Sequence, residues 1–74
     1  DRFIRNCCIA SGNSKNEKLL PYLIKLLMND KSSLVRGAAV WAVQQIGNSE
    51  RLLRTKTQHL NFEKERNVID EWYT

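Results

Sequence analysis

Apolar positions along the 74-residue chain recur at helical spacing, and no stretch alternates cleanly between apolar and polar. Phe3, Ile4, Cys7, Cys8 and Ser11 fall on one face of a first helix. Gly12-Asn13 reads as its C-terminal cap, because these two residue types tolerate the left-handed backbone that ends many helices. Ser14-Lys15-Asn16-Glu17 matches the S-x-x-E capping box, in which a hydroxyl and a carboxylate satisfy orphan amides at a helix start. Leu19, Leu20, Leu23, Ile24, Leu26 and Leu27 then build a wide apolar face. Pro21 lies early in it; lacking an N–H, it predicts either a kink or a helix that begins beside it.

Asn29-Asp30-Lys31-Ser32-Ser33 is a polar turn, and Ser32 or Ser33 can cap the helix that follows. That helix carries Leu34, Val35, Ala38, Ala39, Trp41, Ala42, Val43 and Ile46, so it is apolar over most of its circumference and must be covered on both sides. Gly47 stops it. Ser49 can cap a fourth helix with Leu52, Leu53 and Leu60. Asn61 can cap a fifth, with Phe62, Val68, Ile69, Trp72 and Tyr73 as its apolar set. The predicted class is all-α with four or five helices.

The chain repeats itself. Phe3-Ile4-Arg5 aligns with Leu34-Val35-Arg36 at a spacing of 31 residues, and Gly12-Asn13-Ser14 aligns with Gly47-Asn48-Ser49 at 35. The difference of four is about one helical turn. Two-helix units of this length are the mark of an α-solenoid. The expected organisation is a first repeat over about 1–30, a second over about 31–60, and a C-terminal helix over about 61–74.

Charge adds little. The net charge is +4, made of +4 over residues 1–36, +2 over 37–59 and −2 over 60–74. A basic front permits a polyanionic partner without requiring one. No apolar run approaches the roughly 20 residues of a membrane span, and no signal peptide is evident. The first residue is Asp1, so a fragment of a longer chain is expected, and an apolar edge exposed by truncation would drive dimerisation in a crystal. The two cysteines, Cys7 and Cys8, are adjacent; on a helix they diverge by about 100° and cannot pair. With one histidine (His59) and no C-x-x-C, they do not form a metal site. They read as small buried packing residues of a reducing, cytoplasmic compartment. His59 reads as a surface residue near a helix end.

Asp30, Val35 and Arg36 form D-x₄-V-R ahead of an Ala-rich helix, which resembles the HEAT repeat. The resemblance implies that Asp30 and Arg36 link successive repeats. The wider pattern is more specific. Arg5, Asn6, Ile9, Ala10, Gly12 and Asn13, then Val35, Arg36, Gly37, Ala39, Trp41 and Ala42, resemble the R-N-x₂-I-A-x-G-N and V-R-G-x-A-x-W-A stretches of the C-terminal domain of the epoxyqueuosine reductases. The likeness covers about residues 2–47, with a looser echo in "NVIDEWYT". It implies a HEAT-like domain that grips the tRNA anticodon stem-loop and packs against the catalytic domains of a parent oxidoreductase. That parent would use cobalamin and two iron–sulfur clusters in queuosine tRNA modification. Cluster ligation needs several spaced cysteines, so no cofactor is expected in this chain, which alone should be catalytically inert.

Gripping an RNA stem calls for cations and amide donors aimed at phosphate and 2′-hydroxyl groups. The candidates are Arg5, Asn6, Asn13, Lys15, Asn16, Lys31 and Arg36, with Arg2 weaker. Arg5 and Arg36 have a competing role in inter-repeat linkage, Asn13 as a left-handed cap, and Trp41 as core rather than a base-stacking platform. The alternative function is a HEAT-repeat scaffold for protein–protein interaction.

Overall fold

The computed structural model describes residues 2–47 and 49–74. Among them the chain is all-helical: α1 (Arg2–Ser14), a 3₁₀ turn (Glu17–Leu19), α2 (Leu20–Asn29), α3 (Ser33–Ile46), α4 (Ser49–Leu60) and α5 (Arg66–Glu71). Two helix pairs thus precede a short last helix.

Each boundary has a local cause. Pro21 sits in the first turn of α2, where its missing N–H is no loss, so the helix begins beside it and is not kinked by it. Ser32 caps α3: its hydroxyl accepts from the Val35 amide at 3.4 Å. Gly47 closes α3 with its amide on the Val43 carbonyl at 2.7 Å. Asn48 and the side chain of Ser49, the expected cap of α4, lie outside the described residues.

Three expected boundaries are corrected. First, α1 does not stop at Gly12-Asn13 but continues to Ser14. The left-handed residue is Lys15, at φ 54°, so Asn13 is an ordinary helical residue and not the cap. Second, the Ser14–Glu17 capping box does not form. Ser14 donates to the Ser11 carbonyl, and Asn16 is the cap, accepting from the Lys18 amide at 3.0 Å. Third, Asn61 does not start the last helix. Asn61, Phe62 and Glu63 turn back onto the carbonyls of Gln58 and His59, and α5 begins at Arg66.

The hub is α3. It buries Val35, Ala39, Val40, Ala42, Val43 and Ile46, which satisfies the expectation that it is covered from several sides. Leu20, Leu23 and Leu27 of α2 meet it on one side, Cys8 of α1 on another, and Val68 and Trp72 on a third. α1 and α3 run side by side in the same direction. Arg5 and Ile9 lie beside Leu34 to Ala38, and Gly12 lies beside Trp41 and Ala42, so residue numbers rise together along both helices. The approach is close because the facing residues are small. A Cβ added at Gly12 would lie 2.5 Å from Trp41 Cζ3 and 3.0 Å from the Ala42 Cα. Gly12 is therefore required by the packing of two helices, not by a turn.

Leu53, Phe62 and Tyr73, expected in apolar sets, are exposed at 65, 51 and 66%. Phe62 lies in the turn after α4 and Tyr73 beyond the end of α5, which spans only six residues; the burial at this end is made by Val68 of α5 and by Trp72 just after it.

A candidate groove and a buried polar chain

Two features of the fold carry chemistry. One is a groove between α1, α3 and α5. Its floor is a stripe of α3, Leu34, Gly37, Ala38 and Trp41, at the i, i+3, i+4, i+7 spacing of one helix face. Arg5 and Ile9 form one wall, and Asn67 and Glu71 of α5 form the other. The other feature is a run of polar side chains beneath the C-terminal segment.

That run begins at Arg36. Its Nε and Nη2 donate to the two carboxylate oxygens of Glu63 at 2.8 and 3.0 Å, and its Nη1 donates to the Asp30 and Lys31 carbonyls at 2.8 and 3.1 Å. Glu63 Oε1 is also 2.8 Å from His59 Nε2. The other ring nitrogen, Nδ1, accepts from Trp72 Nε1 at 2.9 Å. An indole can only donate. Nδ1 is therefore the unprotonated nitrogen, and the neutral ring carries its hydrogen on Nε2 and donates it to Glu63. Gln44 of α3 donates to the Trp72 carbonyl at 3.1 Å. His59 is fully buried and Trp72 is 4% exposed.

The electrostatics follow. Burial alone would raise the Glu63 carboxyl. Hydrogen bonds from Arg36, the Glu65 amide and His59, with the guanidinium charge, outweigh it and hold the pKa at about 2. The Arg36 pKa is raised, chiefly by the Glu63 hydrogen bond.

His59 is thus not a surface residue; it is the centre of this chain. Periodicity misses it because its hydrogen-bond partners, Glu63 and Trp72, both lie outside its own helix. Two cues were present: Glu63 lies at i+4 from His59, and a buried tryptophan needs an acceptor for its N–H.

The sequence candidates fall into separate places. Arg2, Arg5 and Asn6 start α1, and Lys31 and Arg36 stand at the entry to the parallel α3, at the same end of the molecule. Asn13, Lys15 and Asn16 lie at the far end of α1; the eight residues from Arg5 to Asn13 alone rise about 12 Å. The seven do not converge. Arg36 has its donors committed to Glu63 and two carbonyls, so it is not available to a phosphate. Asp30 does not meet Arg36 side chain to side chain; its carboxylate accepts from the Ser32 amide at 2.9 Å and its carbonyl receives Arg36. Ion pairs among the described residues join Arg36 to Glu63, Arg54 to Glu50 and Arg66 to Asp70. Arg5, Lys15 and Lys31, all exposed, are in none of them. Trp41 is half-buried: it packs on the core and also lines the groove.

Cys8 is fully buried, and burial, with Cys7 and Asp30 nearby, pushes its thiol up to about 11. Cys7 is half-buried and free. Among the described residues, no three His, Cys, Asp or Glu side chains are placed to hold a metal ion. Two thiols, one of them buried and hard to ionise, do not fit an iron–sulfur cluster, and no step through such a group is assigned to this chain. No described helix is long and apolar enough to cross a membrane.

Residues 2–60 match the family described as HEAT repeats. The chain belongs to this family. The matched span ends with α4, so it takes in both helix pairs, and the HEAT region is followed by α5. A curated protein of Geobacillus stearothermophilus, described as an uncharacterized protein in the gldA 3′ region, is 36% identical over 67 residues, which is 90% of this chain and 31% of that protein. The HEAT chain thus spans about a third of the length of the curated relative it matches. No solved structure matches it.

Proposed function

We propose that this chain is the non-catalytic HEAT-like domain of a cytoplasmic epoxyqueuosine reductase, and that it binds the anticodon stem-loop of tRNA. One observation carries the reading. Residues from the two stretches that resemble this family, separated by about thirty positions in sequence, meet on one surface: Arg5 and Ile9 from the first, Gly37 and Trp41 from the second, all lining the groove. Arg5 supplies a cation there outside any ion pair among the described residues, which suits phosphate contact. Arg2, Asn6 and Lys31 stand at the same end and extend the basic margin. The cobalamin and iron–sulfur chemistry belongs to the catalytic domains of the parent.

The test is binding of an anticodon stem-loop RNA to the chain across a salt series. Affinity falls steeply as salt rises, and Arg5→Ala weakens binding and flattens the salt slope by about one, with an unchanged thermal melt. No binding at low salt, or an Arg5→Ala chain that binds like the parent, refutes the reading. The competing function is a protein-docking scaffold. The 62% exposure of Leu34 on the groove floor favours it, and it predicts a partner whose affinity is nearly independent of salt.

A further inference from the structure

The groove has the dimensions and chemistry of a pocket for one small planar group. Its volume is about 380 Å³, at the lower end of small-ligand sites. It does not run the length of the helices. Trp41 Cζ3 lies so near Gly12 that a single methyl there would collide at 2.5 Å, which shuts the space between α1 and α3 at that level. An extended partner helix has no channel to follow. Toward the other end the floor opens, because Gly37 contributes no side chain and a Cβ there would meet nothing within 4 Å. The walls differ in charge: Arg5 stands on α1, and Asn67 and Glu71 on α5.

Extending the RNA reading above, we propose that this groove receives one unstacked nucleotide of an RNA loop. Its base lies against Trp41, its phosphate meets Arg5, and Asn67 and Glu71 face its polar edge. Splayed loop bases are commonly held by an aromatic surface, with their edges read by polar side chains. The asymmetry of charge fixes the orientation. A phosphate is repelled by the Glu71 carboxylate and drawn to Arg5, whereas base N–H groups find acceptors in Asn67 and Glu71 on the α5 wall, with the Ser33 hydroxyl at the start of α3 as a further one. Gly37 leaves the space through which the sugar passes.

The experiment uses a fluorescently labelled anticodon stem-loop and a blunt duplex of the same stem without its loop, each titrated against the chain, Trp41→Leu and Gly37→Leu. Trp72 is buried, so changes in tryptophan emission report on Trp41. The expected result is quenching by the stem-loop and not by the duplex, with affinity for the stem-loop lowered about 5- to 100-fold in Trp41→Leu. The duplex binds all three chains alike. Gly37→Leu fills the pocket from a position with open space around it, so it keeps the fold and decides the matter if Trp41→Leu unfolds; it too should lose stem-loop affinity and quenching. Stem-loop binding that survives both substitutions, or a duplex that binds as tightly as the stem-loop, overturns the pocket and leaves the RNA reading standing. Absence of RNA binding in every arm overturns both.

Discussion

Replacing Gly12 by alanine tests the packing of α1 on α3 with one carbon atom. In an unconstrained helix interior this change stabilises by about 1 kcal/mol, because alanine is the better helix former. Here the added Cβ would stand 2.5 Å from Trp41 Cζ3 and 3.0 Å from both Trp41 Cε3 and the Ala42 Cα. Carbon atoms in contact rest at about 3.5–4.0 Å. The indole can tilt only by giving up its own packing, and the Ala42 Cα is backbone of the hub helix and moves only if α3 moves. Overpacking of this kind costs about 1–3 kcal/mol. Set against the gain in propensity, the net is a loss of up to about 2 kcal/mol, or a fall in melting temperature of up to about 15 °C for a domain of this size. Gly37→Ala is the internal control. The same atom is added to α3, but nothing lies within 4 Å of it, so the propensity gain stands alone and the melting temperature rises by a few degrees. Circular dichroism at 222 nm, with heat and urea, reads both. A Gly12→Ala chain more stable than the parent would refute the close parallel approach of α1 and α3. Equal shifts in both variants would refute the placement of Gly37 on an open floor.

Two further predictions concern ionisable groups. The folded pKa of Glu63 lies near 2 against an ordinary 4.5, so its carboxylate contributes stability above about pH 4.5, and that contribution is lost as pH falls through 2. The linked free energy is about 3 kcal/mol. In urea melts between pH 6 and 2, Glu63→Gln should be less stable than the parent at pH 6, and the two curves should converge toward pH 2; parallel curves would sink the assignment. The thiols should differ sharply. At pH 8 a soluble thiol reagent modifies Cys7 in the native chain, while Cys8, buried with its pKa near 11, reacts only on unfolding. Two fast equivalents in the native state would contradict the placement of α1.

Much of the architecture was legible because it follows from rules that act within a few residues. The Ser32 cap, the start of α2 at Pro21 and the end of α3 at Gly47 each depend on their own turn. The all-round apolarity of α3 marked it as the helix that others cover. The misreadings share a cause. Glycine serves both turns and close contacts, and the Gly12-Asn13 pair looks the same in either case; only the indole of Trp41, far along the chain, distinguishes them. Ser14 and Glu17 have the spacing of a capping box, but the Ser14 hydroxyl is turned back to the Ser11 carbonyl and Asn16 starts the next turn by accepting from the Lys18 amide. His59, the chain's one histidine, has no apolar period to betray its burial. The candidate cations were legible as residue types and not as an arrangement: nothing short of the parallel packing of α1 and α3 sets Arg5 in a groove with Gly37 and Trp41, and nothing short of Glu63 withdraws Arg36.

The linkage from Arg36 through Glu63 and His59 to Trp72 bears on how this molecule comes apart. Repeat arrays behave much like one-dimensional chains of coupled units, and their terminal units fray first. A last helix of six residues has almost no stability of its own and would ordinarily be the first part to open. Here its opening also breaks the Trp72 bond to His59 and the Gln44 bond to the Trp72 carbonyl, and it uncovers a fully buried imidazole. The cost of releasing the end is thereby joined to the cost of disturbing α3, and the amides of α5 should exchange with solvent together with those of the central helix instead of ahead of them.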